Sequence, residues 1–395
     1  VYQVREVQPN GLFSVGAVAG SVDGRPVGVV GGDPDVLTSI AIPLGDQHAI
    51  DMDFAEAGPA SISGNVHLSD DDGNCFGNTT DQVPLAGVVL RLLDAQGNQI
   101  EETTTNSDGD YLFDNLRPGV YSVVEVQPAG LLNGGEHLGT VAGSTVGLSE
   151  QDAFRQIGLA SSQAGINFDF CEHQPASLAG NVFHDFNDDG VRDAGDEPIA
   201  DVSVELRNEA GAAIAFAQTK SDGSYQFQNL LAGTYTVVEV QPSGWTDGHD
   251  IAGTVAGQRR GVVTNDRIGT VVLKPGDAGI DYDFGEIQLS SISGFVHTDP
   301  NRNCLFDADD RPLANVSVEL LDKDGKILST QPTRNDGSYQ FDGLRPGTYS
   351  VREVQPRGYL EGGQRVGTID GVTIGSEALN LLSGIAMSSG QSAIN

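Results

Sequence analysis

Apolar and polar positions alternate along this chain in short runs, VSVELRN from Val202 and YTVVEVQP from Tyr235 among them, separated by Gly, Asp, Asn and Pro. Period-two alternation over such lengths predicts β-strands with one buried face. Helical spacing is nearly absent. Glu150 to Ile157 is the one stretch that fits a helical turn.

The runs repeat. YSVVEVQP at Tyr121 returns as YTVVEVQP at Tyr235 and YSVREVQP at Tyr349, with YQVREVQP at Tyr2 as an earlier copy. The strand openers ISG (Ile62), LAG (Leu178) and ISG (Ile292) step by 116 and 114 residues, so each unit is about one domain long. Boundaries follow at 1–59 (the second half of a truncated repeat), 60–174, 175–288 and 289–395, the last without its closing strand. Within a unit the order is constant: an opener, an acidic loop, a strand, then TNSDGDYLF, TKSDGSYQF or TRNDGSYQF, read as a hairpin through Asp-Gly. A Gly-rich stretch follows, and DMDF, NFDF or DYDF closes the unit. Many short strands with turns at this spacing predict an all-β fold, a tandem array of β-sandwiches. Seven residues separate each closing Phe (Phe54, Phe170, Phe284) from the next opener, and Pro59 and Pro175 lie in two of the three joints. Constant length with proline predicts a fixed joint and a rod-like array.

The acidic loop carries the candidate chemistry. In VFHDFNDDGVRDAGDEP, Asp185, Asn187 and Asp189 recur at every second position, Gly190 permits a sharp turn, Val191 offers a carbonyl, and Asp193 with Asp196 or Glu197 supplies late carboxylates. That is the ligand order of a calcium loop, here between strands rather than helices. The third unit keeps the oxygens in Asp299, Asn301, Asn303, Asp307 and Asp310, with Cys304 in place of the glycine. The first, aligned on its Asn-Cys pair, offers Asp70, Asp72, Asn74 and Asp81.

Composition narrows the partners. The formal net charge is −34, with lysine only at positions 220, 274, 323 and 326, which excludes nucleic acid and anionic membrane as natural partners and suits divalent cations. No apolar run is long enough to insert a helix into a membrane. The seven histidines form no HxH or HExxH and the cysteines no CxxC, so zinc is not expected; no GxSxG elbow, P-loop or dinucleotide fingerprint is present, and no enzyme is expected. The cysteines follow the repeats. Cys75 lies in the first loop and Cys171 after the first closing strand, whereas the second unit has Gly190 and Gly285 there. Joint presence and joint absence predict a Cys75–Cys171 disulfide and an oxidising location.

With DFNDDGVRDAGDEP, SDGSYQFQNLLAGTYTVVEVQP and DYDFGE, the chain resembles the B-type repeats of serine-aspartate-repeat surface proteins, related to the Cna-type B domains of bacterial adhesins. The resemblance implies prealbumin-like sandwiches in a cell-surface, extracellular stalk, calcium (Ca2+) in the loops, and no enzyme. Glu125, Glu239 and Glu353 match the glutamate that assists a Lys-Asn isopeptide bond in Cna-type domains, but the openers hold no lysine. These glutamates are therefore expected to bond backbone groups at the sandwich end. Expected partners are neighbouring repeats of a longer chain and, by strand addition, other copies in a fibre. A module array binding a matrix protein or polysaccharide, and accessory sandwiches of a secreted enzyme, are the alternative readings.

Overall fold

The computed structural model describes residues 1–70, 75–76 and 82–394, and among them the regular structure is all β-strand. They form two compact units, residues 1–175 with 274–276, and residues 176–273 with 277–395.

The repeat from Ala176 shows how each sandwich is built. Its opening strand, Ala176–His184, is the spine of one sheet. The first half pairs antiparallel with Ser224–Leu230 and parallel with Ala278–Ile280; the second half pairs parallel with the closing strand, Phe284–Ile287. The switch of partners needs Gly180. A Cβ there would lie 1.8 Å from the carbonyl oxygen of Tyr282, and Gly64 meets Phe168 in the same way in the preceding repeat. Asp283 secures the switch by accepting the backbone N–H of Asn181 at 2.7 Å.

The facing sheet has five antiparallel strands and is centred on Gly233–Glu239. Alternation along each strand puts Leu178, Val182, Tyr225, Phe227 and Phe284 of one sheet against Val204, Leu206, Val237, Ile268 and Val271 of the other. Equivalent cores surround Ile62, Phe113, Phe154 and Phe170 in the first unit and Ile292, Leu320, Phe341 and Val351 in the last repeat. In that last repeat, His297, Tyr339, Glu353 and Tyr359 line a groove of about 330 Å³.

Two sequence expectations fail on topology. The Asp-Gly turns are not hairpins: Gln99–Thr104 pairs with Val89–Leu93 in one sheet, while Asp110–Leu116 pairs with the opening strand Ala60–Ser69 in the other. The turn is a corner between the sheets. Buried Thr105 pins it, its hydroxyl donating to the Leu85 carbonyl at 2.5 Å and accepting the Val88 N–H at 2.9 Å. The expected helical turn at Glu150–Ile157 is instead a hairpin, Leu148–Glu150 against Ala153–Leu159, turning at Asp152 with φ +56°. Its apparent helical spacing arises because Phe154 and Ile157 both point into the core across a register shift in this ladder's pairing with Gly119–Glu125.

Candidate metal centres

The second acidic loop leaves the end of one opening strand and returns beside it through Glu197–Pro198. Asp185 is fully buried and holds the loop from inside, accepting the N–H of Asp188 at 2.6 Å and of Gly190 at 2.8 Å. Gly190 takes φ +74° to present its N–H this way. Asn187 Nδ2 lies 2.9 Å from Asp189 Oδ2 and 3.4 Å from Asp193 Oδ2, so both carboxylates converge on one amide. Val191 is exposed and donates its N–H to Asp189 Oδ1 at 2.8 Å. Asp196 turns both oxygens inward, accepting the N–H of Phe186 at 3.1 Å and of Asp193 at 2.7 Å. Glu197 lies exposed on the returning strand opposite His184, so the loop gathers Asp196 and not Glu197. Arg192 points away, to Asn181 Oδ1 and the Asp222 carbonyl.

The third loop repeats the pattern. Asp299 accepts the N–H of Asn303 at 3.2 Å and of Cys304 at 2.8 Å; Asn301 and Asn303 both reach Asp307 Oδ2, at 3.0 and 3.1 Å. Asp310 accepts the Asp307 N–H at 3.1 Å and faces His297 Nδ1 at 3.0 Å. Cys304 keeps a positive φ of +53° where the second loop has glycine. In the first loop Asp72, Asn74 and Asp81 lie outside the described residues, and Asp70 is exposed. An all-oxygen set with excess carboxylate fits a hard cation such as Ca2+ better than a thiophilic one.

A second acidic centre was missed by motif reading. Glu125, Asp152 and Glu172 place carboxylate oxygens within 4.8 Å of one another, and Glu239, Asp266 and Glu286 do the same one repeat later, as do Glu6, Asp35 and Glu56. In both complete repeats the two glutamates are buried. Gln127 and Gln241 each donate to one oxygen of Glu172 and Glu286 respectively, but both oxygens of Glu125 and of Glu239, and one each of Asp152, Glu172, Asp266 and Glu286, lack hydrogen-bond donors. For Glu125 and Glu239 the expectation of bonds to backbone groups is thus overturned. Strand Gly119–Glu125 delivers its glutamate side chain toward the closing strand, where the carboxylates of Asp152 and Glu172 face it. Burial first, and the neighbouring glutamate second, push Glu125 and Glu239 far above the usual carboxylate range. Asp250, beside the second cluster, is pushed up to about 8 by burial and then by Asp247. The available signal was spacing: Glu125, Asp152 and Glu172 match Glu239, Asp266 and Glu286 residue for residue at the repeat step, across the diverged Gly-rich stretch.

Cys75 and Cys171 are joined as a disulfide, with Cα atoms 6.2 Å apart. Cys171 stands on the closing strand beside His67 of the opening strand, and both residues are buried.

The family model described as the SdrD B-like domain matches residues 60–170, 176–286 and 290–390. The chain belongs to the SdrD B-like domain family. It is 32% identical over 282 residues to serine-aspartate repeat-containing protein D of Staphylococcus aureus, covering 71% of this chain and 21% of that protein. It is 29% identical over 286 residues to serine-aspartate repeat-containing protein F of Staphylococcus epidermidis, covering 71% of this chain and 17% of that protein. The chain therefore spans about a fifth of the length of the curated relatives it matches. Among solved structures it is similar to BcpA, the major pilin subunit of Bacillus cereus, at 12% identity and TM-score 0.36, covering 85% of this chain and 98% of that one.

Within each compact unit, one SdrD B-like repeat is bonded to its neighbour by the same device. In the second unit Arg345 forms a fork on Asp188 of the preceding acidic loop, at 2.8 and 3.0 Å, and also donates to the Asp247 carbonyl at 3.1 Å. Ser389 donates its N–H to the Phe186 carbonyl at 2.8 Å and its hydroxyl lies 2.7 Å from His184 Nε2. In the first unit Arg117, one repeat step before Leu231 and two before Arg345, donates to the Ser14 carbonyl at 3.2 Å and stacks over Phe13, 4.9 Å from the ring centre.

Proposed function

We propose that this chain is a non-enzymatic, extracellular segment of a cell-surface protein in which SdrD B-like repeats act as spacers stiffened by calcium. The observation that carries the reading is that the acidic loop of one repeat is also part of its joint. Asp188 and Phe186, inside the loop that Asp185 closes, are the groups that Arg345 and Ser389 of the next repeat bind. A cation that orders the loop therefore orders the joint, and its removal frees both. The carboxylate triads at Glu125 and Glu239 supply a second oxygen-only position in the repeats that open at Ala60 and Ala176. At a formal net charge of −34, a divalent ion relieves repulsion among these acids.

Calcium is expected to bind the intact chain with affinity in the range of extracellular modules, on the order of 10⁻⁴ to 10⁻³ M or tighter. At a hundredfold excess over its Kd each independent site adds about 2.7 kcal/mol of stability. Titration calorimetry and thermal unfolding with and without chelator test this, and the absence of both binding heat and a melting shift overturns it.

A further inference from the structure

The disulfide of the first complete repeat lies in a pocket that a disulfide alone does not explain. His67, Cys75 and Cys171 bring ligand atoms within 4.8 Å of one another. His173 Nε2 lies 3.9 Å from Cys75 Sγ. All four residues are buried. Each imidazole is also oriented by a backbone carbonyl. His173 Nδ1 is 2.9 Å from the Ser69 carbonyl, which leaves Nε2 facing the sulfur, and His67 Nε2 is 3.1 Å from the Cys75 carbonyl. A backbone carbonyl holding one ring nitrogen is how metal-binding histidines are commonly aimed.

The next repeat supplies an internal control. At the positions of His67 and His173 it has Phe183 and Ile287, both fully buried, and Gly285 stands where Cys171 does. A disulfide requires only the cysteines to change between the two repeats, yet all the nitrogen and sulfur ligands are present in one and absent from the other. The last repeat again has the first two, His297 and Cys304.

We propose that, with its sulfurs reduced, this pocket is a tetrahedral site for a thiophilic divalent cation of the zinc class, ligated by Cys75 Sγ, Cys171 Sγ, a ring nitrogen of His67 and His173 Nε2. Closing the disulfide expels the ion. The distances suit it: bonds of about 2.3 Å to sulfur and 2.0 Å to nitrogen put tetrahedral N and S ligands about 3.5 Å apart, close to the His173 to Cys75 separation. The sulfurs, whose Cα atoms are 6.2 Å apart, need only side-chain rotation to separate to about 3.8 Å, the tetrahedral S to S distance. The redox step balances as thiol–disulfide exchange. A dithiol gives two electrons and two protons to the protein disulfide and leaves as its own cyclic disulfide. The metal then displaces the two thiol protons as the thiolates form.

The test uses the full chain carrying Cys304→Ser, reduced without oxygen by a phosphine and titrated with Co2+. The expected result is one cobalt per chain with tetrahedral d–d bands and thiolate-to-cobalt charge transfer, displaced by Zn2+ and absent from the oxidised chain. Replacing His67 and His173 by the Phe and Ile of the next repeat is expected to weaken cobalt binding at least tenfold, while the oxidised variant still forms the disulfide and melts cooperatively. Absence of charge transfer in the reduced parent overturns the proposal. So do bands and affinity that the double-histidine variant leaves unchanged, because the cysteines would then hold metal without the pocket. If the double variant fails to fold, His173→Gln, which keeps a polar group in place, gives the same reading.

Discussion

At the level of single residues, the two acidic centres differ in what their carboxylates accept: backbone N–H groups hold Asp185, whereas both oxygens of Glu239 lack a donor. Asp185 accepts backbone N–H groups at 2.6 and 2.8 Å, which counter part of the upward push that burial puts on its carboxyl, and its loss unties the loop. Asp185→Ala is expected to lower calcium affinity of its repeat at least tenfold, read by calorimetry on the intact chain. Glu239 and Glu286 are raised in the folded state, chiefly by burial. The folded chain therefore holds protons that the unfolded chain releases. Glu286 contributes stability that is present below its unfolded value of 4.5 and is lost as pH rises through its folded value of about 7. In chelator, the melting temperature should fall as pH rises across that window; Glu286→Gln should flatten the slope, and calcium should remove it by replacing the protons. A slope unchanged by either would show that the cluster does not titrate this way.

At the level of elements, the sandwich depends on a few enforced crossings between strands. The opening strand changes partners at Gly180, where a side chain would strike the Tyr282 carbonyl. Tyr225 makes use of the same carbonyl, its hydroxyl donating to it from full burial. Gly180→Val should prevent folding of that repeat or cost more than about 3 kcal/mol, whereas Tyr225→Phe should cost about 1 to 3 kcal/mol by leaving the carbonyl unpaired. The corner at Thr219 is as specific: its hydroxyl donates to Ile199 at 2.7 Å and accepts the Val202 N–H at 2.9 Å. Thr219→Val, nearly equal in volume, should destabilise by about 1 to 3 kcal/mol in chemical denaturation.

At the level of the whole molecule, mechanical behaviour turns on the joints. The Arg345 fork on Asp188 ties the acidic loop of one repeat to the next repeat. Arg345→Ala should leave each repeat's calcium affinity within a few-fold of the parent. It should also raise the flexibility of the calcium-loaded chain toward that of the parent in chelator, as measured by small-angle scattering. A variant as stiff as the parent in calcium would separate the loop from the joint and overturn the stalk reading.

Much of this was legible in the linear chain because repeats carry their own alignment. The all-β class, the opener and closing strands, the loops at Asp185 and Asp299 and the paired appearance of Cys75 with Cys171 all follow from alternation and repeat step, which are local or periodic properties. Tertiary structure alone decided which sheet each strand joins, and with it every centre built from strands far apart in sequence. The Asp-Gly corner reads as a hairpin in sequence because turn chemistry is local while the choice of sheet belongs to the partner strand, here Ala60–Ser69. Glu125 reaches Asp152 because its strand pairs with Ala153–Leu159, and His67 reaches Cys171 because the closing strand runs parallel beside the opening one. Lateral strand order brings those side chains together, and it is set by long-range pairing that no window of sequence contains.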